Sequence, residues 1–178
     1  TVVGLVMTEL RLAVNDDDMI VTSTDGEVVL VQHTGAGRRP HLHPLRVPGG
    51  LSVVTARDPE DPPWREGIYT ELDPIPGLGF WAEGRPRSHE EGKGVVDSHF
   101  GGDAWVDHSD AGWRVDVAHL DASGRPFLDE SQEWHLRWSD DRLELRLAWT
   151  LRGMAEGTFG TRESGGPFVR LPLHAGAG

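Results

Sequence analysis

The chain has no cysteine, which excludes a disulfide framework, a zinc–cysteine centre and a thiol nucleophile. No apolar run approaches the ~18 residues that a membrane-spanning helix needs. Basic residues are few. Seventeen Lys and Arg stand against 29 Asp and Glu, for a formal net charge of −12. Such an acidic surface repels phosphate backbones and anionic bilayers, so neither nucleic acid nor membrane is expected as a partner. Nine histidines change that balance below neutral pH. The opening Thr1-Val2-Val3-Gly4-Leu5-Val6 has neither a basic segment nor a signal-peptide core. With the missing cysteines, this suits a cytoplasmic protein. No Gly-x-Gly-x-x-Gly follows a strand pattern and no phosphate loop occurs, so no nucleotide or other cofactor is expected.

What the sequence does hold is turns and alternation. A length of 178 residues fits one domain, 1–178, with a core large enough to need no staples. Glycines (23) and prolines (12) are spread throughout and punctuate short alternating runs. Residues 6–14 alternate as a half-buried strand. A hairpin is expected over 19–24 and 27–33 around Asp25-Gly26, a favoured turn pair. Leu51 to Ala56 and Ile68 to Leu72 read as short strands. Trp113, Val115, Val117 and His119 share one face of a strand, as do Trp134, Leu136 and Trp138. Leu143 to Leu151 is the clearest strand, alternating with Arg142 to Thr150. A shorter strand over 168–173 closes the chain. No window keeps a 3.6-residue period. The expected fold is all-β, an antiparallel β-sandwich, with a jelly roll or cupin as the runner-up.

The segment Arg38 to Gly50 is the expected functional centre. His41 and His43, two apart in an extended backbone, point to the same side. Pro40 and Pro44 lack amide donors, which places the segment at a sheet edge or rim. Gly35, then His41-x-His43, opens like a cupin metal motif, but Val47 and Pro48 stand where its glutamate belongs. A metal-dependent oxygenase or hydrolase is therefore a third reading, and no metal is assigned. Trp64, stiffened by Pro59, Pro62 and Pro63, and Trp81 are candidate walls for a cyclic ligand. Arg39 and Arg65 are candidate binding groups beside them. Glu83, next to Trp81, is a candidate acid kept protonated by desolvation. Arg162 and Glu163 lie in a glycine-rich stretch suited to close ligand approach. His119, on an apolar face, is expected to be a satisfied core residue.

Several pieces, in order, resemble the family named PmoA-like, or methane oxygenase PmoA, a name shared with a membrane copper enzyme these proteins do not resemble. Arg39-Pro40-His41-Leu42-His43-Pro44-Leu45 with Gly49-Gly50 is similar to its Arg-Pro-(Tyr/His)-x-His-Pro-Leu…Gly-Gly signature. Gly79-Phe80-Trp81, Asp121 to Pro126 with Glu130, and Phe159 to Gly165 follow in the family's order. The match runs from about residue 39 to 170. Pro62, Pro63, Trp64 and Arg65 replace a His-Pro-His-His run, and Arg162-Glu163 replaces a Lys-Glu pair. The resemblance implies a sandwich of the sugar-mutarotase kind and leaves the reaction open.

These residues together suggest a cofactor-independent acid–base enzyme of isomerase, lyase or cyclase type. Its small-molecule substrate would be a cyclic oxygenated metabolite, such as a sugar derivative or a secondary-metabolite intermediate. In this reading His41 or His43 moves a proton, Arg162 holds an oxyanion, and Glu163 or Glu83 is the second acid or base. The alternative is a non-catalytic module that binds carbohydrate or a partner protein. An exposed sheet edge would allow a homodimer.

Overall fold

The computed structural model describes residues 9–47, 53–56, 66–72, 95–121, 123–139, 142–156 and 166–171. They form two antiparallel sheets facing each other as a sandwich, without closing into a barrel. The first sheet contains β1 (Leu10–Val14), β2 (Asp18–Ser23), β3 (Val28–His33), β4 (His41–Leu45), β5 (Ile68–Glu71) and β11 (Gly166–Val169), in the order β1-β2-β3-β4-β5-β11. The second contains β6 (Val95–Phe100), β7 (Trp105–Asp107), β8 (Asp110–Leu120), β9 (Pro126–Ser139) and β10 (Arg142–Gly153). Its order is β10-β9-β8-β6, and β7 pairs with the start of β8, where β6 does not reach.

Alternation explains the packing. Met19, Val21, Leu30 and Leu42 from the first sheet meet Trp113, Val115, Val117, Trp134 and Leu136 from the second, all buried. The β2–β3 hairpin turns at Asp25-Gly26 as expected, with Gly26 at φ +86°. There the missing Cβ lets the chain adopt a left-handed turn. Leu143, Leu145 and Leu147 of β10 pack on the core but stay half-buried.

Three expectations need correction. First, β4 is not at an edge or rim. It lies inside the sheet between β3 and β5. Proline is tolerated there because the β3–β4 register slips between Leu30↔Leu45 and Gln32↔Leu42, leaving Pro44 in the irregular step. Its missing N–H therefore breaks no ladder. The pairing with β5 uses only His41 and Leu42, ahead of the proline. Second, residues 53–56 form no strand. Val53 makes one isolated bridge to Arg46. Third, the last strand begins earlier than expected, at Gly166, because it pairs with β5 from Glu71 to Ile68. Strands β6 and β7 were not expected at all.

Candidate functional site

The register lines up one cross-strand row on the first sheet. Asp18 pairs with His33, His33 with His41, His41 with Tyr69, and Tyr69 with Phe168. Leu42 belongs to the core between the sheets, so its neighbour His41 projects from the opposite, outer face. The row is a stack of rings. His33 and His41 are stacked with centroids 4.7 Å apart, and Tyr69 and Phe168 at 5.4 Å. Arg39 places its guanidinium 5.9 Å from the Tyr69 ring centre. The outer face is nonetheless buried here. His41 and Arg39 are each 5% exposed and Glu71 2%.

A hydrogen-bond partner settles the tautomer of the His41 ring. His41 Nδ1 lies 3.1 Å from the Arg39 carbonyl oxygen. That oxygen only accepts, so Nδ1 carries the proton and Nε2 presents a lone pair. This Nε2 is buried and has no hydrogen-bond partner among the described residues. The nearest charged group is Glu66, with Oε2 at 3.8 Å. Burial, with the neighbouring positive charges of His33 and Arg38, pushes His41 down to about 3, against a weaker upward pull from the bond to Arg39. The ring is therefore neutral at physiological pH. His33 differs. Its Nδ1 lies 2.7 Å from Asp18 Oδ1 and its Nε2 2.7 Å from the His43 carbonyl.

His43 sits further along the same strand. Its Nδ1 bonds Thr55 Oγ1 at 2.9 Å, and the same hydroxyl accepts the Leu45 amide at 3.0 Å. Arg39 meets Glu71 as a buried ion pair at 3.5 Å. The expected site thus gathers His41 and Arg39 with Glu66, the residue after the expected Trp64-Arg65 pair, and with Tyr69 and Glu71, which the sequence did not single out. Tyr69 and Glu71 share a face of the expected strand. The signal was therefore period-two spacing. The other expected site residues, Trp64, Arg65, Trp81, Glu83, Arg162 and Glu163, lie outside the described residues.

A second polar assembly fills the space between the sheets. Glu130 on β9 is 4% exposed. Its Oε1 accepts from Thr70 Oγ1 (2.7 Å), Gln132 Nε2 (2.7 Å) and Trp149 Nε1 (2.8 Å), while His119 Nε2 meets Oε2 at 2.9 Å. Burial alone would raise this carboxyl. The bond and charge of His119, then Thr70 and Gln132, outweigh it and hold Glu130 below its ordinary value. Gln132 Oε1 accepts from Trp134, and Gln32 Oε1 from Trp113. Gln32 in turn donates to the His41 carbonyl at 3.2 Å. This seam ties the second sheet to the backbone of β4. His119 is buried in the core, with its Nε2 against Glu130. Among the described residues, no group of three or more His, Cys, Asp or Glu is placed to hold a metal ion.

With this geometry in hand, the comparison with known families is specific. The model of a family of unknown function, DUF6807, matches residues 20–177. The chain belongs to the DUF6807 family. No curated protein and no solved structure matches it. In this DUF6807 member the matched span takes in both polar assemblies apart from Asp18, from Gln32 and His33 to Glu130 and Trp149. No helix among the described residues is long and apolar enough to cross a membrane.

The outer face of the second sheet carries a further surface feature. Trp105 is 47% exposed. It rests on the bare backbone of Gly112, where an added Cβ would fall 2.5 Å from its Nε1. The His135 ring lies 5.7 Å away. Arg114, Glu133 and Arg146 complete an open groove of about 500 Å3.

Proposed function

We propose that this DUF6807 member is a small acid–base enzyme, an isomerase, lyase or cyclase acting on a hydroxylated cyclic metabolite such as a sugar derivative or secondary-metabolite intermediate. The observation that carries this reading is the lone pair on buried His41 Nε2, set 3.8 Å from the Glu66 carboxylate with no hydrogen-bond partner among the described residues. That lone pair accepts from one donor, and a ligand hydroxyl or an acidic C–H supplies it. Buried polar atoms are satisfied in most proteins, so an orphan acceptor calls for an explanation.

The chemistry follows from the charge states. His41 starts neutral. A proton leaving a substrate carbon or oxygen goes to Nε2 and makes an imidazolium. That cation then faces Glu66, an attraction absent while the ring is neutral. Stabilisation that grows only as the proton moves lowers the barrier rather than merely tightening binding. Arg39, held against Tyr69 and Glu71, supplies positive charge beside the developing oxyanion. Returning the same proton to a neighbouring atom completes an isomerisation with nothing consumed. Glu66 here takes the role of second acid or base.

The test is proton exchange by NMR in deuterated water, using reducing sugars, uronic acids and sugar lactones as a panel. A turned-over member should lose ~10²–10⁴-fold in rate in His41→Gln, with a smaller loss in Glu66→Gln. Undiminished exchange in His41→Gln defeats the proposal, as does a panel that neither reacts nor perturbs the His41 ring signals. A second reading, a carbohydrate-binding module, is favoured by the exposed Trp105 beside His135, since an exposed indole offers an apolar face rimmed by polar groups. Sugar binding that is lost in Trp105→Ala, without turnover, would select it.

A further inference from the structure

Among the described residues the four sheet edges are unequal. On the first sheet, β1 has five residues and β11 four. On the second, the β8 edge is covered by two short strands, β6 and β7, with six and three residues. The remaining edge is β10, with twelve residues. Its pairing with β9 runs without a bulge from Arg142↔Ser139 to Gly153↔Leu128. It contains no proline, and no other described strand pairs with it. Long, regular, unguarded edges are what natural sheets usually blunt with prolines, bulges or cover. Its core-facing row, Leu143, Leu145, Leu147, Trp149 and Leu151, stays half-buried or exposed. These four leucines and the tryptophan therefore lack full apolar cover.

We infer that β10 is a homodimer interface, where a second copy adds its own β10 antiparallel about a twofold axis and continues the sheet. Self-pairing must keep the leucine row on one side, so even positions face even and odd face odd. Charge then discriminates among registers. Centring on Leu147 sets Arg142 against Arg152, and centring on Trp149 sets Arg146 against Arg152. Centring on Arg146 sets that residue against itself. Centring on Ala148 sets Glu144 against Arg152 twice, Arg146 against Thr150, Leu145 against Leu151 and Leu147 against Trp149. A shorter register about Leu145 sets Glu144 against Arg146 but leaves Trp149 and Leu151 unpaired. The Ala148 register is thus the one that joins opposite charges and pairs the apolar row from Leu145 to Leu151. Opposite charges and apolar pairs across strands both favour association. Within its own chain Glu144 bonds Arg146 and is held below its ordinary value by that bond, with Arg142 and Arg137 nearby. Arg152 pairs across to Asp129. In the dimer, Glu144 gains a second guanidinium from the other copy.

Sedimentation equilibrium on the full chain, across a hundredfold concentration range, tests this directly. The expected species has twice the 19.6 kDa chain mass. Glu144→Arg and Arg152→Glu should each weaken dimerisation at least tenfold, and the double variant E144R/R152E should restore it. Both side chains lie on the solvent face, and circular dichroism of each variant checks that the fold survives. Within each chain the double variant still has Glu144→Arg beside Arg146, a like-charge clash, so recovery can come only from across the interface. A monomer at every concentration overturns the inference. So does a dimer indifferent to both single reversals, which would have to use another surface.

Discussion

At the scale of single residues, two buried ionisable groups make the fold less stable in acid, for different reasons. His41 is neutral because desolvation lowers it to about 3 from 6.5. A folded value below the unfolded one means that the unfolded chain takes up a proton first. His41 therefore costs no stability above pH 6.5 and destabilises progressively as pH falls from 6.5 towards 3. A gap of that size is on the order of 5 kcal/mol. His41→Gln should flatten the stability profile between pH 6.5 and 4.5 in urea titrations; an unchanged slope would show that the ring is not buried as described. Glu130 is depressed below its ordinary 4.5. Its contribution is complete above that value and is lost as pH falls through the lower folded value. Glu130→Ala removes the acceptor that Thr70, Gln132, Trp149 and His119 share. The expected cost is ~3–5 kcal/mol at pH 7, and a loss under about 1 kcal/mol in chemical denaturation would mean that the seam is not formed. His41 and Arg39 were legible in the sequence because prolines and histidines cluster visibly. The roles of Glu71 and Glu130 were not, because a glutamate on an inward or covered row looks like any surface acid. Its burial depends on what lies across the sheet, which no local pattern encodes.

At the scale of elements, the junction of β4 and β5 is the tightest fit in the described chain. Gly67 has φ +64°, and a Cβ there would sit 1.8 Å from the Leu42 carbonyl oxygen and 2.9 Å from the His43 Cβ. Both obstacles belong to β4, so neither can swing away as a side chain end would. Gly67→Ala should cost at least ~2 kcal/mol, from the left-handed backbone and the displaced strand together. It should also disturb the His41 ring signals more than those of Trp113, because β5 carries Tyr69 beside His41. Equal melting temperatures for the two proteins would contradict the packing. The same junction shows why β4 was misplaced at an edge from sequence. Proline excludes a regular central ladder, but a bulge lets it stay in one. Strands β8 to β10 were legible, since Trp113 to His119 and Leu143 to Leu151 alternate cleanly and are long. Val95 to Phe100 mixes apolar, acidic and histidine side chains without a period. β7 has only three residues. Both owe their strand geometry to the edge of β8, a tertiary cause that short patterns cannot display.

At the scale of the whole molecule, the sandwich sets a buried, locally balanced polar interior inside a strongly acidic shell. The formal charge of −12 is spread over a small body, and like charges repel more when the chain is compact than when it is unfolded. Salt acts on these two populations differently. Exposed charges are screened once the Debye length falls to ~8 Å at physiological ionic strength, whereas buried pairs are hardly touched. Screening should therefore relieve the surface repulsion without weakening His119–Glu130 or Arg39–Glu71, whose side chains are at most 6% exposed. The exposed pairs that salt would also weaken, such as Arg125–Asp121 and Arg146–Glu144, are each worth little. Repulsion wins that comparison, so raising sodium chloride from about 10 to about 150 mM at pH 7.5 should raise the melting temperature by a few degrees. The gain should shrink near pH 5, close to the sequence pI of about 5.1, where the net charge vanishes. Calorimetry at the two pH values checks both halves of the argument. A melting temperature that falls with salt at pH 7.5 would place the decisive charges in attractive surface pairs instead, and the acidic shell would then be stabilising this fold rather than straining it.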